Sequence, residues 1–357
     1  MKIFAYYYPG FFNDKYRLTG TEWELMKNAI PRNKKHYQPK KPLLGYYNQN
    51  SFDACLNQVE LAEKFGIDGF MICYYWDFEM SEPIMNEPLE KLIEVIRGKK
   101  FQFNLMWVLR LPHKKLPISQ GNYGKYQNHP WFKKRIQSFQ NDRRFKSEIE
   151  RICRHPNYRK AQNGKPLIQF YSVSELLDGS SNIKEIIEGF QNYHIQAICG
   201  RNDSWITIAE QLGIDSLSTY VTLVDFDSNR VVLNHKDCVA DQESIWQKIQ
   251  EQTSLPYIPS VSPGWDASPR GEFYSGFRNR KFPWAPVVLD SNPKDYYENL
   301  ILAQSWALKN NVDIHISSWN EWSEGHYLEP DDKNGYEFLK FTKKIKETSN
   351  ERNDYIL

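Results

Sequence analysis

Short apolar runs alternate with amphipathic segments along the whole chain. Eight runs are rich in β-branched and aromatic residues, as buried parallel strands usually are. They span Ile3–Tyr8, Gly69–Trp76, Phe101–Leu109, Pro166–Tyr171, Gln196–Gly200, Ser216–Val221, Tyr257–Val261 and Asp313–Trp319. Between them, apolar residues recur every three or four positions, as in Leu56, Val59, Ala62 and Phe65. That spacing marks one buried face of a helix.

The amphipathic segments predict a helix after almost every strand. They lie near Phe52–Phe65, Pro88–Ile96, Phe145–Cys153, Ile183–Tyr193, Ser204–Leu212, Gln242–Gln252, Pro293–Leu308 and Tyr336–Glu347. Strands that alternate with helices imply parallel pairing with right-handed crossovers. Eight such units in 357 residues favour a (β/α)8 TIM barrel over an open doubly wound sheet. We predict an α/β fold with one barrel domain over residues 1–357.

Three long loops are predicted after strands one, three and six, at Gly10–Asn50, Arg110–Asp142 and Thr222–Asp241. All three belong to the C-terminal face of such a barrel, where active sites are built. The strand ends carry Tyr7, Tyr8, Tyr74, Tyr75, Trp76, Trp107, Arg110, Tyr171, Arg201, Asp203, Tyr220, Trp265, Asp266, Glu321 and Glu324. Packing in the top layer of the barrel explains any one of them, but their recurrence predicts a polar, aromatic-lined pocket.

Composition narrows the classes of partner. A formal net charge of +2 gives no sign of nucleic-acid binding, and an aromatic content of 15% suits stacking on sugar faces as well as core packing. The five cysteines are scattered without a CxxC pair, which is neither a disulfide framework nor a zinc site and fits a reducing compartment. His36 and His326 lack metal-ligand spacing. We expect no metal and no cofactor.

The N-terminal apolar run, Met1–Pro9, is too short for the apolar region of a signal peptide. No stretch approaches the ~18–20 apolar residues of a membrane span. These patterns predict a cytoplasmic protein without a transmembrane segment, although a trimmed secreted or periplasmic chain would have the same pattern.

The most informative segment is Trp319-Asn320-Glu321-Trp322-Ser323-Glu324-Gly325. Indole rings exclude water from a neighbouring carboxyl group, and a second carboxylate raises its pKa further, so that one group is protonated while the other ionises. Cleavage of a glycosidic bond requires such a pair. The alternative is a Trp-rich strand with solvated glutamates. In an extended chain Trp319 and Glu321 share one side, so Glu324 can join Glu321 only through a turn, which Gly325 would permit.

Two further patterns are weaker. Asp225-Phe226-Asp227 matches the acidic motif with which many sugar-nucleotide transferases hold a metal, but a solvated loop is the simpler interpretation. The segment Lys133–Lys160 is rich in Lys and Arg. It could face an acidic polysaccharide or a lipid carrier, yet a solvated helix face is again simpler.

Several motifs in order resemble one known family. They are Tyr8-Pro9, Thr21-Glu22-Trp23, His36-Tyr37-Gln38-Pro39, Gly45-Tyr46-Tyr47, Ala62–Phe70 leading to Tyr74-Tyr75-Trp76, Gly164–Leu167, Pro263–Asp266 with Arg270, Trp319–Gly325 and Leu328-Glu329-Pro330. Over nearly its whole length the chain resembles the WbsX family of polysaccharide-locus proteins. It is similar, more distantly, to glycoside hydrolase family 99, whose known members are endo-α-mannosidases.

The resemblance implies a (β/α)8 barrel and a mechanism. By position, Glu321 is the base that deprotonates the sugar's own 2-hydroxyl, which attacks the anomeric carbon to give a 1,2-anhydro intermediate. Glu324 is the general acid/base that protonates the leaving oxygen and then activates water. One segment departs from the family, because Met106–His113 lacks the Asn-Glu-x-Trp pattern that usually follows the third strand.

We therefore predict a retaining glycoside hydrolase that cleaves an α-linked, manno-configured sugar of the mannose or rhamnose type in an oligo- or polysaccharide. The alternatives are a glycosyltransferase of surface-polysaccharide synthesis and a non-catalytic glycan-binding barrel. The predicted substrate-binding residues are Tyr8, Glu22, Trp23, His36, Tyr46, Tyr75, Trp76, Trp107, Arg110, Tyr171, Trp265, Asp266, Arg270, Trp319, Asn320, Trp322 and Glu329.

One group of these residues has a more specific prediction. We expect Trp265, Asp266 and Arg270 on the loop after strand seven, beside the two glutamates, because Pro263-Gly264 turns the chain into the barrel mouth. The alternative is an Asp266–Arg270 pair that only pins the loop.

Overall fold

Eight parallel strands form a barrel in the computed structural model, which describes residues 1–18, 20–114, 116–118, 142–179, 183–272, 276 and 282–354. The strands are β1 (Ile3–Tyr7), β2 (Gly69–Asp77), β3 (Gln102–Val108), β4 (Leu167–Tyr171), β5 (His194–Cys199), β6 (Ser216–Thr219), β7 (Tyr257–Ile258 and Ser260–Val261) and β8 (Ile314–Ile316). Each pairs in parallel with its neighbour in sequence order, and β8 pairs with β1. The eight predicted strands and the (β/α)8 fold are confirmed.

The barrel closes through β7, which has two pieces on either side of Pro259. Its first piece pairs with β6, with Leu217 opposite Tyr257. Its second piece pairs with β8, with Ser260 opposite His315. Proline has no N–H to donate to a ladder, so the strand is interrupted there while both of its edges remain paired.

Helices surround the barrel between the strands. They are Phe52–Lys64, Glu87–Ile96, Arg143–Cys153, Val173–Gly179, Ile183–Glu188, Gln242–Gln250, Pro293–Asn310 and Glu337–Asp354. The segments predicted as long loops after β1 and β6 contain two further helices, Glu22–Asn28 and His235–Ala240. Side-chain caps begin several of them: Ser51 accepts a hydrogen bond from the N–H of Ala54, and Asn292 accepts one from Asp295. Among the described residues, no helix is long and apolar enough to cross a bilayer.

One predicted helix is different. The segment after β5 forms a 3-10 helix at Ser204–Ile208 rather than an α-helix over Ser204–Leu212. Its successive β-branched residues, Ile206, Thr207 and Ile208, lose rotamer freedom in an α-helix. The predicted helix near Ile183–Tyr193 also ends early, at Glu188.

Alternation along the strands sends each side chain inward or outward. In β1, Ile3, Ala5 and Tyr7 pack under the outer helices, whereas Phe4 and Tyr6 belong to the interior cluster that reaches the C-terminal end of the barrel. Such alternation is expected in a closed barrel.

Below its mouth, the barrel interior is filled by polar side chains that bond to one another. Gln169 donates to Gln196 at 2.7 Å, and Gln196 donates to Ser216 at 3.2 Å. Ser218 Oγ lies 2.9 Å from His315 Nδ1. These groups are buried, and buried polar groups are normally satisfied in this way. The site is therefore confined to the mouth.

Candidate active site

A cavity of about 710 Å³ opens at the C-terminal end of the barrel. Residues from the ends of the barrel strands and from the loops after them line it. Predicted residues among them are Tyr8, Glu22, Tyr75, Arg110, Tyr171, Trp265, Arg270, Glu321 and Glu324. Arg17, Cys73, Arg201, Asn202, Asp203, Tyr220, Asp225, Phe226 and Asp227 also line it. The size and the mixed polar and aromatic lining are typical of a ligand site.

A tight turn brings the two glutamates together. After β8 the chain forms a hairpin whose strands, Asn320–Glu321 and His326–Tyr327, are joined by a 3-10 turn over Trp322–Glu324. Gly325 follows with φ 68°, a left-handed conformation that glycine adopts without strain. The condition stated from the sequence is met, since the backbone turns directly after Glu321.

Arg270 lies between the two glutamates and a third carboxylate. Its Nη2 is 3.2 Å from Glu321 Oε2 and 3.0 Å from Glu22 Oε2, and its Nη1 bonds to Glu324 Oε1. Its Nε donates to Ser323 Oγ at 2.9 Å. One guanidinium therefore holds three carboxylates on one wall of the cavity, a geometry that suits its planar array of five donors.

Asp266 has different partners. It bonds to Gln38, and its Oδ2 lies 2.8 Å from His36 Nε2. Its backbone N–H donates to the carbonyl of Glu324 at 2.8 Å. Asp266 and Arg270 thus do not pin the loop as a pair between themselves. Instead, Asp266 and His36 brace the backbone behind Glu324.

Arg17 and Tyr8 complete the surroundings of Glu22. Arg17 Nη2 lies 2.6 Å from Glu22 Oε1, and the Tyr8 hydroxyl donates to the same oxygen at 2.5 Å. Burial would raise the pKa of Glu22, but Arg270 and Arg17 outweigh it and lower the pKa to about 2. Glu22 is therefore ionised at neutral pH, between two arginines.

The pKa values of the paired glutamates move apart. Burial raises the pKa of Glu321 well above its ordinary value, and the charges of Glu324 and Glu22 add to this effect against the opposing effect of Arg270. Burial also acts on Glu324, but Arg270 and a hydrogen bond with His326 lower its pKa overall. Glu321 is therefore the carboxyl group of the pair that keeps its proton to the higher pH.

The side chain of His326 is fully buried and adjoins Glu324. Its Nε2 is 3.0 Å from Glu324 Oε2, and its Nδ1 is 3.3 Å from Ser317 Oγ. Burial lowers the pKa of His326, so the ring is neutral. When Ser317 donates to Nδ1, Nε2 carries the hydrogen and donates to the Glu324 carboxylate.

An aromatic wall extends from His326 along the cavity. The indole of Trp265 stacks on the His326 ring at 5.2 Å between centroids and 14° between planes. Phe226 stands edge-on to the same indole at 5.0 Å. Tyr220 stands edge-on to the His326 ring at 5.4 Å between centroids, and its hydroxyl lies 3.5 Å from Glu321 Oε1. Tyr220 therefore adjoins both glutamates, one directly and the other through His326.

Several predicted site residues lie outside the cavity because of strand alternation. Trp76 and Trp107 point outward and pack on Phe145 of the surrounding helix Arg143–Cys153. Tyr7 and Tyr74 also lie in the outer cluster. The prediction at the strand ends was wrong for these four, because inward-facing neighbours such as Tyr75 occupy the mouth. Position in the sequence alone does not tell which of two neighbouring side chains at a strand end faces the cavity.

Trp319 is another correction. It packs on Phe70 in the outer cluster, whereas Glu321 faces the cavity. The sequence predicted that Trp319 and Glu321 would share one side of an extended strand. Strand β8 ends at Ile316, so its alternation does not continue through Trp319.

Other predicted residues support the mouth from behind. Asn320 bonds to both the N–H and the carbonyl of Tyr8. The Trp322 indole donates to Glu329 at 2.7 Å and stacks on Tyr327. Trp23 packs against Trp322, and Tyr46, still partly exposed, packs against Trp23. These side chains position the hairpin rather than line the cavity.

Sequence reasoning missed two members of the site. Arg17 lies in an irregular loop with no periodic signal, so its burial depends on Glu22 and Tyr8 being close in space. His326 was considered only as a metal ligand, although its place directly after Gly325 puts it opposite Glu321 in the hairpin. Tyr220 was recognised as a strand end but was not carried into the predicted site.

The structure also shows the contacts of the two weaker sequence motifs, the acidic one and the basic one. Asp225 Oδ1 accepts from the N–H of Asp227 at 3.0 Å, and Asp227 Oδ2 lies 3.4 Å from Asn202 Nδ2. Among the residues that the structure describes, no group of three or more His, Cys, Asp and Glu is placed to hold a metal. Of the basic segment Lys133–Lys160, residues 133–141 lie outside the part of the chain that the structure describes. In its helical part, Arg151 pairs with Glu148 at 2.7 Å.

Comparison with known proteins places the chain in a family. A family model described as "Glycosyltransferase WbsX" matches residues 3–342, so the chain belongs to the WbsX family. It is 25% identical over 368 residues to the uncharacterized protein WxcX of Xanthomonas campestris pv. campestris, with 96% of this chain and 49% of that protein covered. The chain spans about half the length of the curated relatives it matches.

The fold is shared with solved glycoside hydrolases. The family 99 endo-α-mannosidase from Bacteroides thetaiotaomicron superposes with a TM-score of 0.63 at 15% identity, covering 99% of this chain and 98% of that chain. A structure described as a glycoside hydrolase-like protein gives a TM-score of 0.59 at 13% identity, covering 96% and 93%.

Proposed function

We propose that this member of the WbsX family is a retaining glycoside hydrolase that cleaves an α-linked, manno-configured sugar, of the mannose or rhamnose type, in an oligo- or polysaccharide. The observation that carries the proposal is the pair Glu321 and Glu324, two buried carboxylates in one cavity whose pKa values are shifted in opposite directions. Two carboxyl groups whose pKa values differ can supply an acid and a base at the same pH.

The proposed reaction uses the sugar's own 2-hydroxyl. The Glu321 carboxylate takes the hydroxyl proton, the 2-oxygen attacks the anomeric carbon, and the bond to the leaving oxygen breaks as Glu324 protonates it. Glu324 then removes a proton from water, which attacks the anomeric carbon. The bond between the anomeric carbon and the 2-oxygen breaks, and Glu321 returns its proton to that oxygen. Two inversions give net retention.

These roles require the proton on Glu324 when the first bond breaks, whereas the pKa shifts in the ligand-free protein favour a proton on Glu321. Arg270 offers a route, because its guanidinium touches both carboxylates. A shift of that guanidinium toward Glu321 as the sugar enters would lower the pKa of Glu321 and raise that of Glu324. Substrate binding and proton placement are thus coupled through one cation.

A screen of mannose- and rhamnose-containing bacterial surface glycans, with product analysis by NMR, tests the proposal. We expect cleavage with retained anomeric configuration. Glu321→Gln and Glu324→Gln should each lower kcat/KM by at least about 10²-fold, because each removes a proton-transfer group. Glu94→Gln, an exposed glutamate on helix Glu87–Ile96, is the matched control. Near-wild-type rates in both active-site variants would refute the assignment.

The second candidate is a glycosyltransferase of surface-polysaccharide synthesis. The description of the matching family favours it, and Asp225 and Asp227 at the cavity edge are the residues that would face a metal-bound nucleotide sugar. Calorimetry with nucleotide sugars and Mn²⁺ separates the two candidates. Binding that Asp225→Asn and Asp227→Asn abolish, without hydrolysis of any glycan, would favour transfer over hydrolysis.

A further inference from the structure

An exposed phenylalanine lies inside the cavity, away from the paired glutamates. Thirteen large apolar side chains are exposed in the described part of the chain, and among them Phe226 is the one that lines the cavity. It is 49% exposed. Scattered surface apolar residues need no explanation, but an exposed ring in a ligand cavity offers a face for stacking.

The neighbouring Trp265 is not available for that purpose. Its indole is only 4% exposed, with one face stacked on His326. The edge-on contact with Phe226 fixes the phenyl ring while leaving it exposed. The sequence predicted that a sugar would stack on Trp265, but the ring that is exposed for stacking is that of Phe226.

Polar groups flank this ring. Asp227 and Asn202 are exposed at the cavity edge, and their side chains are within 3.4 Å of each other. Asp203 and Arg201 lie on the same loop after β5 and also line the cavity. An aromatic face beside carboxylate and amide groups matches the two sides of a pyranose, whose C–H face is apolar and whose edge carries hydroxyls.

The position of the ring relative to Glu324 gives a direction. From the Glu324 carboxylate the contacts run to His326, then to Trp265 and then to Phe226, which is two ring-to-ring steps away. Under the proposed function Glu324 protonates the leaving oxygen, so these rings lie on the leaving-group side. Because the rings of His326 and Trp265 lie between Glu324 and Phe226 in this series of contacts, we assign Phe226 to the sugar after the one whose oxygen is at Glu324.

We propose that Phe226, with Asp227 and Asn202, forms a binding subsite for the second sugar of the leaving group, so that the preferred substrate releases an oligosaccharide. This inference rests on the proposed function for its direction, since Glu324 defines the leaving-group side. It assigns the Asp225-Phe226-Asp227 segment to sugar binding.

The test compares Phe226→Ala with substrates of two lengths. The probes are aryl α-mannoside and α-rhamnoside, whose leaving group contains no second sugar, and the corresponding α-linked tetrasaccharides. For the tetrasaccharide that is cleaved, we expect KM to rise about two- to tenfold with kcat unchanged, the range of one aromatic contact. The aryl glycoside should be cleaved as by the wild type, and Phe226→Tyr should restore tetrasaccharide binding.

A control and a binding measurement make the result decisive. Phe52→Ala removes another exposed phenylalanine, 42% exposed on an outer helix, and should change neither KM. Calorimetry in the Glu324→Gln background reports tetrasaccharide binding without cleavage, and there Phe226→Ala should weaken binding by the same factor.

The outcomes separate this inference from the proposed function. Cleavage of the tetrasaccharide with equal KM in wild type and Phe226→Ala would overturn the subsite alone. Binding that Phe226→Ala weakens, without cleavage by the wild type, would support sugar binding at Phe226 but overturn the hydrolase and, with it, the leaving-group assignment. Failure of the wild type to bind or cleave any probe would overturn both.

Discussion

His326 Nε2 lies 3.0 Å from Glu324 Oε2, so a neutral, buried imidazole contacts the residue proposed as general acid/base. The hydrogen bond favours the ionised carboxylate. Together with Arg270 it keeps Glu324 charged in the ligand-free protein, against the effect of burial. How readily Glu324 acts as an acid therefore depends on how strongly Arg270 and His326 stabilise its ionised form.

Replacing His326 by Phe should raise the pKa of Glu324, because a ring of similar shape lacks the donor. A general acid with a higher pKa keeps its proton to a higher pH, so the alkaline limb of kcat/KM should move upward by roughly one pH unit. His326→Gln retains a donor and should shift the limb less. An alkaline limb at the same pH in wild type and His326→Phe would show that this hydrogen bond does not tune Glu324.

Replacing Arg270 by Met should destabilise the fold, since it leaves Glu22, Glu321 and Glu324 buried without their shared cation. Removing one partner of a buried ion pair costs about 3–5 kcal/mol. The matched control is Arg154→Met, which removes an arginine whose side chain is 80% exposed and should cost about 0–1 kcal/mol. Urea unfolding near neutral pH measures both.

The same variant has a pH signature. Arg270 helps to lower the pKa of Glu22 from its ordinary value of 4.5 to about 2. A lowered pKa contributes stability that is present above pH 4.5 and is lost as the pH falls toward 2. The difference in unfolding free energy between wild type and Arg270→Met should therefore shrink across that window, and a constant difference would contradict the assignment.

Glu329 should make the protein less stable as the pH rises through neutrality. Burial raises its pKa from 4.5 to about 7, despite hydrogen bonds from Gln58, Trp322 and Tyr47. Since the folded state keeps this proton longer than the unfolded chain, stability is full below pH 4.5 and falls between pH 4.5 and 7. The loss is bounded at roughly 3 kcal/mol.

Glu329→Gln should remove that fall, because its amide does not titrate. Thermal unfolding of wild type and variant between pH 4 and 8, with Glu94→Gln as an exposed control, would show the two curves separating as the pH rises from 4.5 to 7. Parallel curves over the whole range would mean that Glu329 ionises normally.

Gly325→Ala should disrupt the turn that joins the glutamates. A Cβ there would lie 2.7 Å from the Asp266 nitrogen and 2.5 Å from Lys40 Nζ, and φ is already +68°. Gly335→Ala is the matched control, because φ there is +56° and nothing lies within 4 Å of the added Cβ. The control should cost about 1–2 kcal/mol from conformation alone. Gly325→Ala should cost more and also lower kcat, and equal losses would show that the contacts relax.

Periodicity predicted the barrel because it is a local property. A strand that is buried on both faces needs a continuous apolar run, and a helix on the barrel needs one apolar stripe. Both patterns are visible within about ten residues, so all eight strands were found. The 3-10 helix at Ser204–Ile208 was missed because its apolar spacing matches an α-helix and only its β-branched run opposes one.

The sequence by itself determined the strand order, the mouth of the barrel and the glutamate pair, since each follows from local patterns and from closure of a parallel sheet. Only the tertiary structure decided which side chains enter the cavity. Strand alternation placed Tyr75 inside and Trp76 outside. Long-range packing brought Arg270, from the segment after β7, against Glu22, which with its partner Arg17 follows β1. The charge state of Glu321 and Glu324 depends on this convergence, because Coulomb interactions and burial act through space.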